Sequence, residues 1–265
     1  MKITALVENQ SHCELKRVHG LSLYIETKKH KLLFDLGPDD TLFQNAEKRG
    51  IDLSGIDTVI LSHGHYDHGG ALKRFLQVNK TARIYAQRSA FEPHYSRFFL
   101  WNVDVGIAEE YKDDPQMVLL EGDHQIDEEL RLFVVPKTDK CRSNANASLY
   151  TKNGKDDFLH EQNLIIQGKK VALIMGCGHA GVVNILERAR EFRPDLCVGG
   201  YHLYNPALKK TVPEALLKEI ADELSGYPEI RFYTCHCTGK KAYGYLSQRL
   251  KNMKYLSCGD TITFP

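Results

Sequence analysis

The chain has 265 residues, 42 % of them apolar, with 35 basic against 34 acidic side chains and a formal net charge of +1. That length fits one large α/β domain or two small ones, and the apolar fraction supports a sizeable core. The balanced charge gives no general attraction for nucleic acid or an anionic membrane, and no apolar run approaches the roughly 20 residues of a membrane span.

Met1–Val7 reads straight into a strand and carries neither the apolar region nor the cleavage site of a secretory leader, so a soluble, cytoplasmic protein is expected. Leu21–Glu26 and Lys31–Asp35 are apolar-rich runs on either side of a polar tetrapeptide, the pattern of a hairpin. The second run ends in Phe34-Asp35-Leu36-Gly37, a strand closing on a carboxylate and a glycine turn. A helix is expected over Asp39–Arg49, a buried strand over Asp57–Ser62, a helix over Ala71–Val78 and a strand over Arg83–Ala86. The stretch from about 91 to 152 is less regular. It holds strands near Met117–Leu120 and Leu130–Val135, and an aromatic group from His94 to Trp101 that reads equally as a lid over a pocket or as core packing.

The second half repeats the alternation of strand and helix. Leu164–Gln167 and Lys170–Met175 form a hairpin pattern, followed by a helix over Val182–Phe192 and a strand over Leu196–Gly200. Thr211-Val212-Pro213-Glu214 resembles a capping box opening a helix to about Leu224. Ile230–Thr234 reads as a strand, Gly239–Leu250 as a helix, and Tyr255–Thr263 as one closing strand. Two similar αβ halves packed sheet to sheet would account for this order, as one domain over 1–265 with a lid or insertion at about 91–152.

The seven cysteines are odd in number, irregularly spaced and free of any C-x-x-C, which argues against a disulfide framework. Most read as reduced core residues, Cys235 and Cys237 as packing beside His236, and Cys177 as either packing or a metal ligand or bridge.

Ser62-His63-Gly64-His65-Tyr66-Asp67-His68-Gly69-Gly70 follows a buried strand at once. In extended backbone His63 and His65 point the same way and can reach one metal together, with Asp67 and His68 turned toward a second. Imidazole with carboxylate suits zinc, iron or manganese. A closed structural zinc site normally uses cysteines and four ligands, so four candidates here with more histidines downstream argue for two ions. His179 and His236 also follow apolar strands and are read as further ligands. His202 is a third strand-end histidine, read as a proton donor or substrate contact, with a structural role as the alternative. His160 is a weaker ligand candidate, and His12, His19, His30, His94 and His124 are assigned no role.

The string His63-Gly-His65-Tyr-Asp67-His68 resembles the H-x-H-x-D-H signature of the metallo-β-lactamase superfamily. Further similarity runs along nearly the whole chain: Leu6-Val7-Glu8-Asn9, Gly20–Leu23, Leu33–Gly37, Glu161-Gln162, Gly176–Gly181, Gly199–Leu203 and His236–Gly239. Together they resemble a subgroup named after a dihydropterin ribofuranosyl-aminobenzene phosphate synthase of the archaeal methanopterin pathway. The resemblance implies a four-layer αββα sandwich with metals in a cleft at the sheet edges. It places His63, His65 and His179 on the first metal and Asp67, His68 and His236 on the second, with Asp35 supporting the site from behind. One departure stands out: the superfamily's bridging aspartate is replaced near Gly176-Cys177.

The cluster and the resemblance together predict a hydrolase with two divalent ions, zinc first, manganese or iron as alternatives. Its substrate would be a small phosphorylated or ester-type molecule, attacked by water that the ions activate. Asp67 would orient the nucleophile and His202 protonate the leaving group or hold an anion. No nucleic acid or membrane partner is expected; a homo-oligomer is allowed. The competing readings are a metal-dependent sensor without turnover and a di-iron redox protein. The latter is weakened because flavodiiron-like chains carry a glutamate where His65 stands.

Overall fold

In a computed structural model of the chain, residues 1–98, 101–138 and 140–265 are described. Phe99 and Leu100, part of the aromatic stretch from His94 to Trp101, lie outside them. In chain order the first half contains β1 (Lys2–Val7), β2 (Ser22–Glu26), β3 (Lys31–Phe34), α1 (Thr41–Lys48), β4 (Thr58–Ile60), α2 (Tyr66–Gly69), α3 (Leu72–Val78), β5 (Arg83–Gln87), β6 (His94–Phe98), β7 (Trp101–Asp104) and β8 (Met117–Leu120). The second continues with β9 (His124–Gln125), β10 (Leu130–Val134), β11 (Leu149–Thr151), β12 (Gly154–Lys155), β13 (Gln162–Ile166), β14 (Ala172–Ile174), α4 (Val182–Ala189) and β15 (Leu196–Gly199). It ends with β16 (Tyr204–Asn205), β17 (Lys210–Thr211), α5 (Glu214–Leu224), β18 (Arg231–Thr234), α6 (Lys240–Arg249), β19 (Met253–Tyr255) and β20 (Thr261–Thr263).

Two seven-stranded sheets have the orders β20-β1-β2-β3-β4-β5-β8 and β19-β18-β15-β14-β13-β10-β9. Each is antiparallel on one side and parallel on the other: β3, β4, β5 and β8 run parallel in the first, β14, β15, β18 and β19 in the second. Strand periodicity sorts the core into layers. Leu32, Phe34, Ile60, Leu164, Ile174 and Val198 meet between the sheets. The intervening Leu33, Val59 and Ile84 face α1 and α3 on the other side of the first sheet. Leu173, Cys197 and Phe232 face α4, α5 and α6 on the far side of the second. The result is the expected αββα sandwich. A four-stranded sheet, β12-β11-β6-β7, stands apart from both.

Two expectations fail locally. Thr211 does not cap a helix, because it pairs with Tyr204 in the β16–β17 ladder; Pro213 takes the cap position in extended backbone and Glu214 begins α5. Tyr255–Thr263 is not one strand. Gly259 adopts φ 90° and Asp260 accepts the Ser257 N–H at 2.8 Å, a turn that sends β19 to the second sheet and β20 to the first.

Candidate metal centre

In parallel sheets, loops at the carboxyl ends of strands are free to carry function. Here Asp35 follows β3, His63 follows β4, Cys177 and His179 follow β14, His202 follows β15 and His236 follows β18. The sandwich brings the residues of these loops to one edge. Tight backbone contacts make this convergence possible. Gly64 lies against the Ala90 carbonyl and the His94 ring, where a Cβ would stand 2.3 Å from that oxygen. Gly178 adopts φ 66° with its Cα turned toward the Gly200 carbonyl.

The structure brings together the ring nitrogens of His63, His65 and His179, all within 4.8 Å of one another. His63 Nε2 is 3.0 Å from His65 Nδ1. Beside them, His236 Nε2 lies 3.1 Å from Asp67 Oδ2 and 3.3 Å from His68 Nε2, and His68 Nε2 lies 3.8 Å from Asp67 Oδ2. The two sets adjoin, since the His63 and His68 rings are 4.2 Å apart.

Outer partners aim these rings. Nδ1 of His68 meets Asp35 Oδ2 at 2.6 Å, Nδ1 of His179 meets Asn146 Oδ1 at 2.8 Å, and Nδ1 of His236 meets Asn9 Oδ1 at 2.9 Å. Each contact leaves Nε2 as the inward donor atom, the arrangement that orients ligating imidazoles. Buried glutamates fix the loops themselves. Glu161 accepts the backbone N–H groups of His179 and Ala180 at 2.7 and 2.8 Å, and Glu8 accepts that of His236 at 2.6 Å. Burial still pushes Glu161 up to about 7 despite those bonds.

The electrostatics fit a cation-binding centre. Burial, reinforced by neighbouring histidine charge, holds His63, His65 and His179 well below the usual imidazole range, hence neutral, the form that ligates. His65 Nε2 and His179 Nε2 are buried with no hydrogen-bond partner among the described residues, a costly state unless a ligand takes the lone pair. Burial opposes charge on His68 too, yet Asp35 and Asp67 raise it to about 9, so this position favours positive charge. Burial would likewise raise Asp67, but His68 and hydrogen bonds from His19 and His236 hold it well below the ordinary carboxylate range. A divalent ion meets the same demand.

All six residues read as ligands therefore converge. His202 is near them: its ring is 4.1 Å from that of His179, and its Nδ1 is buried with no partner among the described residues. Cys237, read as packing, lies at the cleft and within one candidate metal group with Cys177 and His236, its Sγ accepting the His202 N–H at 3.3 Å. His19, His94 and Asp156 escaped the sequence reading. His19 reaches Asp67 at 3.3 Å. Asp156 Oδ2 holds His94 Nδ1 at 3.2 Å and His160 Nε2 at 3.1 Å, and His160 Nδ1 accepts the Gly64 N–H at 3.0 Å. His160 thus supports the ligand loop from outside. The Asp156–His160 spacing of four residues was the one local hint. Of the aromatic group, His94 is buried, whereas Trp101 is 77 % exposed and neither core nor cleft lining.

A cleft of about 380 Å³ opens over the centre. His65, Asp67, Cys177, His202 and His236 form its floor, and its walls include Val18, Pro38, Val105, Leu149 and Pro206. No lysine or arginine lines it among the described residues.

A sandwich whose parallel strands end at one edge in histidine, cysteine and aspartate side chains that could hold a metal is an α/β architecture of metal-site proteins. The chain belongs to the metallo-beta-lactamase superfamily, whose pattern matches residues 15–158. It is 29% identical over 268 residues to an uncharacterized protein of Methanocaldococcus jannaschii, covering 98% of this chain and 99% of that one. It is 24% identical to the same organism's 7,8-dihydropterin-6-methyl-4-(beta-D-ribofuranosyl)-aminobenzene-5'-phosphate synthase, covering 93% and 90%. A solved metal-dependent hydrolase of the beta-lactamase superfamily superposes with a TM-score of 0.80 at 25% identity, covering 100% of this chain and 99% of the other.

Proposed function

We propose that the chain is a two-metal hydrolase of small, neutral, ester-type substrates such as esters or lactones. The observation that carries this reading is the cleft: a ligand-lined floor under mainly apolar walls without a lysine or arginine among the described lining residues. A phosphorylated substrate would gain from fixed cations or bidentate guanidinium contacts, which this lining does not offer.

His63, His65 and His179 would hold one ion and Asp67, His68 and His236 the other. When bound, such ions supply Lewis acidity and lower the pKa of water toward neutrality. The chain's own groups do the rest. Asp67, held ionised, orients the attacking water. His202, at the cleft floor with a buried Nδ1 that has no partner among the described residues, would deliver a proton to the leaving oxygen. The apolar walls bind the substrate body and exclude bulk water. Ser96, from β6, joins the apolar residues at the rim of the cleft.

A second reading, turnover of a phosphate-bearing substrate, draws on the name of the M. jannaschii synthase. One panel separates the two: chromogenic carboxylic esters and lactones against phosphomonoesters and phosphodiesters, with metal-loaded protein. Ester or lactone turnover with no phosphoester turnover is expected. Phosphoester turnover alone would overturn the neutral-substrate reading, and no turnover with full metal occupancy would favour a sensor.

A further inference from the structure

We infer that the Cys177 sulfur is a ligand shared between the two metal positions, so that the centre is thiolate-bridged. This rests on the two-metal reading and specifies its chemistry.

Cys177 is 3 % exposed and follows β14 directly beneath the cleft. Its Sγ lies 3.2 Å from His68 Nε2. It lies within 4.8 Å of the ligand atoms of His63 and His68 as one group, of His179 and His202 as a second, and of His236 and Cys237 as a third. One sulfur atom therefore adjoins members of both ligand sets. A second observation points to the same place. His179, whose buried Nε2 has no hydrogen-bond partner among the described residues, belongs to one of the groups that contain this sulfur.

Charge favours a further anion beside Asp67. Two divalent ions bring four positive charges, and Asp67 is the single carboxylate in the inner set. The other buried acids nearby are engaged elsewhere. Asp35 accepts from Ser62 and His68, Glu8 from His236 and Tyr255, and Glu161 from His179 and Ala180. The neighbouring thiol is also occupied: Cys237 Sγ accepts the His202 N–H and donates to the Cys177 carbonyl at 3.4 Å. Among the described residues, Cys177 is the thiol whose sulfur adjoins both ligand sets. On binding it would release its proton to solvent and ligate as thiolate. A sulfur ligand favours zinc or cobalt over manganese or magnesium.

The test is cobalt(II) titration of the chelator-treated full chain, read by absorbance. Wild type should develop an intense thiolate-to-cobalt charge-transfer band in the near ultraviolet that keeps rising through the second equivalent. Cys177→Ser should lose the band, Cys237→Ser should keep it, and Cys177→Asp should bind both equivalents without it. Cobalt bound by wild type with no such band would overturn the inference and leave the two-metal reading standing; so would a band lost in Cys237→Ser and kept in Cys177→Ser. A band complete at one equivalent would replace the bridge by a terminal ligand. No cobalt bound at all would defeat the two-metal reading itself. If Cys177→Ser fails to fold, Cys177→Asp and Cys237→Ser decide: the band should be lost in the first and kept in the second, and the reverse would overturn the inference.

Discussion

Asp35 shows how much one side chain contributes to this centre. Its backbone has φ 64°, and its carboxylate receives the Ser62 N–H at 2.7 Å and faces His68 Nδ1 at 2.6 Å. Asparagine tolerates the left-handed conformation and nearly matches the volume. Asp35→Asn should therefore fold but hold metal about 10–100-fold more weakly, because the outer partner that orients His68 loses its charge. Competition with a chromogenic chelator measures this, and an unchanged affinity would remove Asp35 from the centre. His202 makes the opposite prediction. Its replacement by alanine should lower kcat about 100-fold or more while metal content stays at the wild-type level. A loss of metal in that variant would make it a ligand instead of a proton donor.

Among the elements, the strand-end loops were the most legible. Apolar runs closing on glycine and histidine marked β4, β14, β15 and β18 and with them all six residues read as ligands. What stayed hidden depends on contacts distant in sequence. His94 and Asp156 are 62 residues apart and meet only because β6 pairs with β11. Asp156 lies 7 % exposed, and its hydrogen bonds to His160 and His94 outweigh burial to hold it far below the carboxylate range. Asp156→Asn replaces the charged acceptor of both histidines with a neutral amide and should destabilise the fold by roughly 1.5–3 kcal/mol in urea unfolding. A change within experimental error would mean the network is replaceable by water.

A similar clamp joins the two sheets. His30, in the β2–β3 turn, contacts Asp57 at 2.8 Å and Asp127, ahead of β10, at 2.7 Å. Burial alone would lower its pKa, but the two carboxylates raise it. With the folded value above the unfolded one of about 6.5, the stabilisation is complete below that pH and is lost as pH rises through the folded value. Urea midpoints followed upward from about pH 6 should thus fall more steeply for wild type than for His30→Gln. Parallel profiles would contradict the clamp.

For the whole molecule, the two halves followed from the repeated strand–helix alternation, and their αββα layering from the family resemblance. The chain's end was misread because both β19 and β20 alternate suitably and only the turn at Gly259 decides which sheet each joins. Metal should couple to the stability of the sandwich as a whole, because ligands arrive from both sheets and binding favours the folded chain. Chelation should lower the Tm by several degrees, and restored zinc should recover it; a Tm indifferent to chelator would place the ions outside the folding equilibrium. The central claim, a centre for two ions, is tested most directly by elemental analysis of freshly purified wild-type and His68→Ala protein. About two equivalents of metal in the wild type, falling to about one in the variant, is the predicted result. No metal, or one equivalent unaffected by loss of His68, would contradict it.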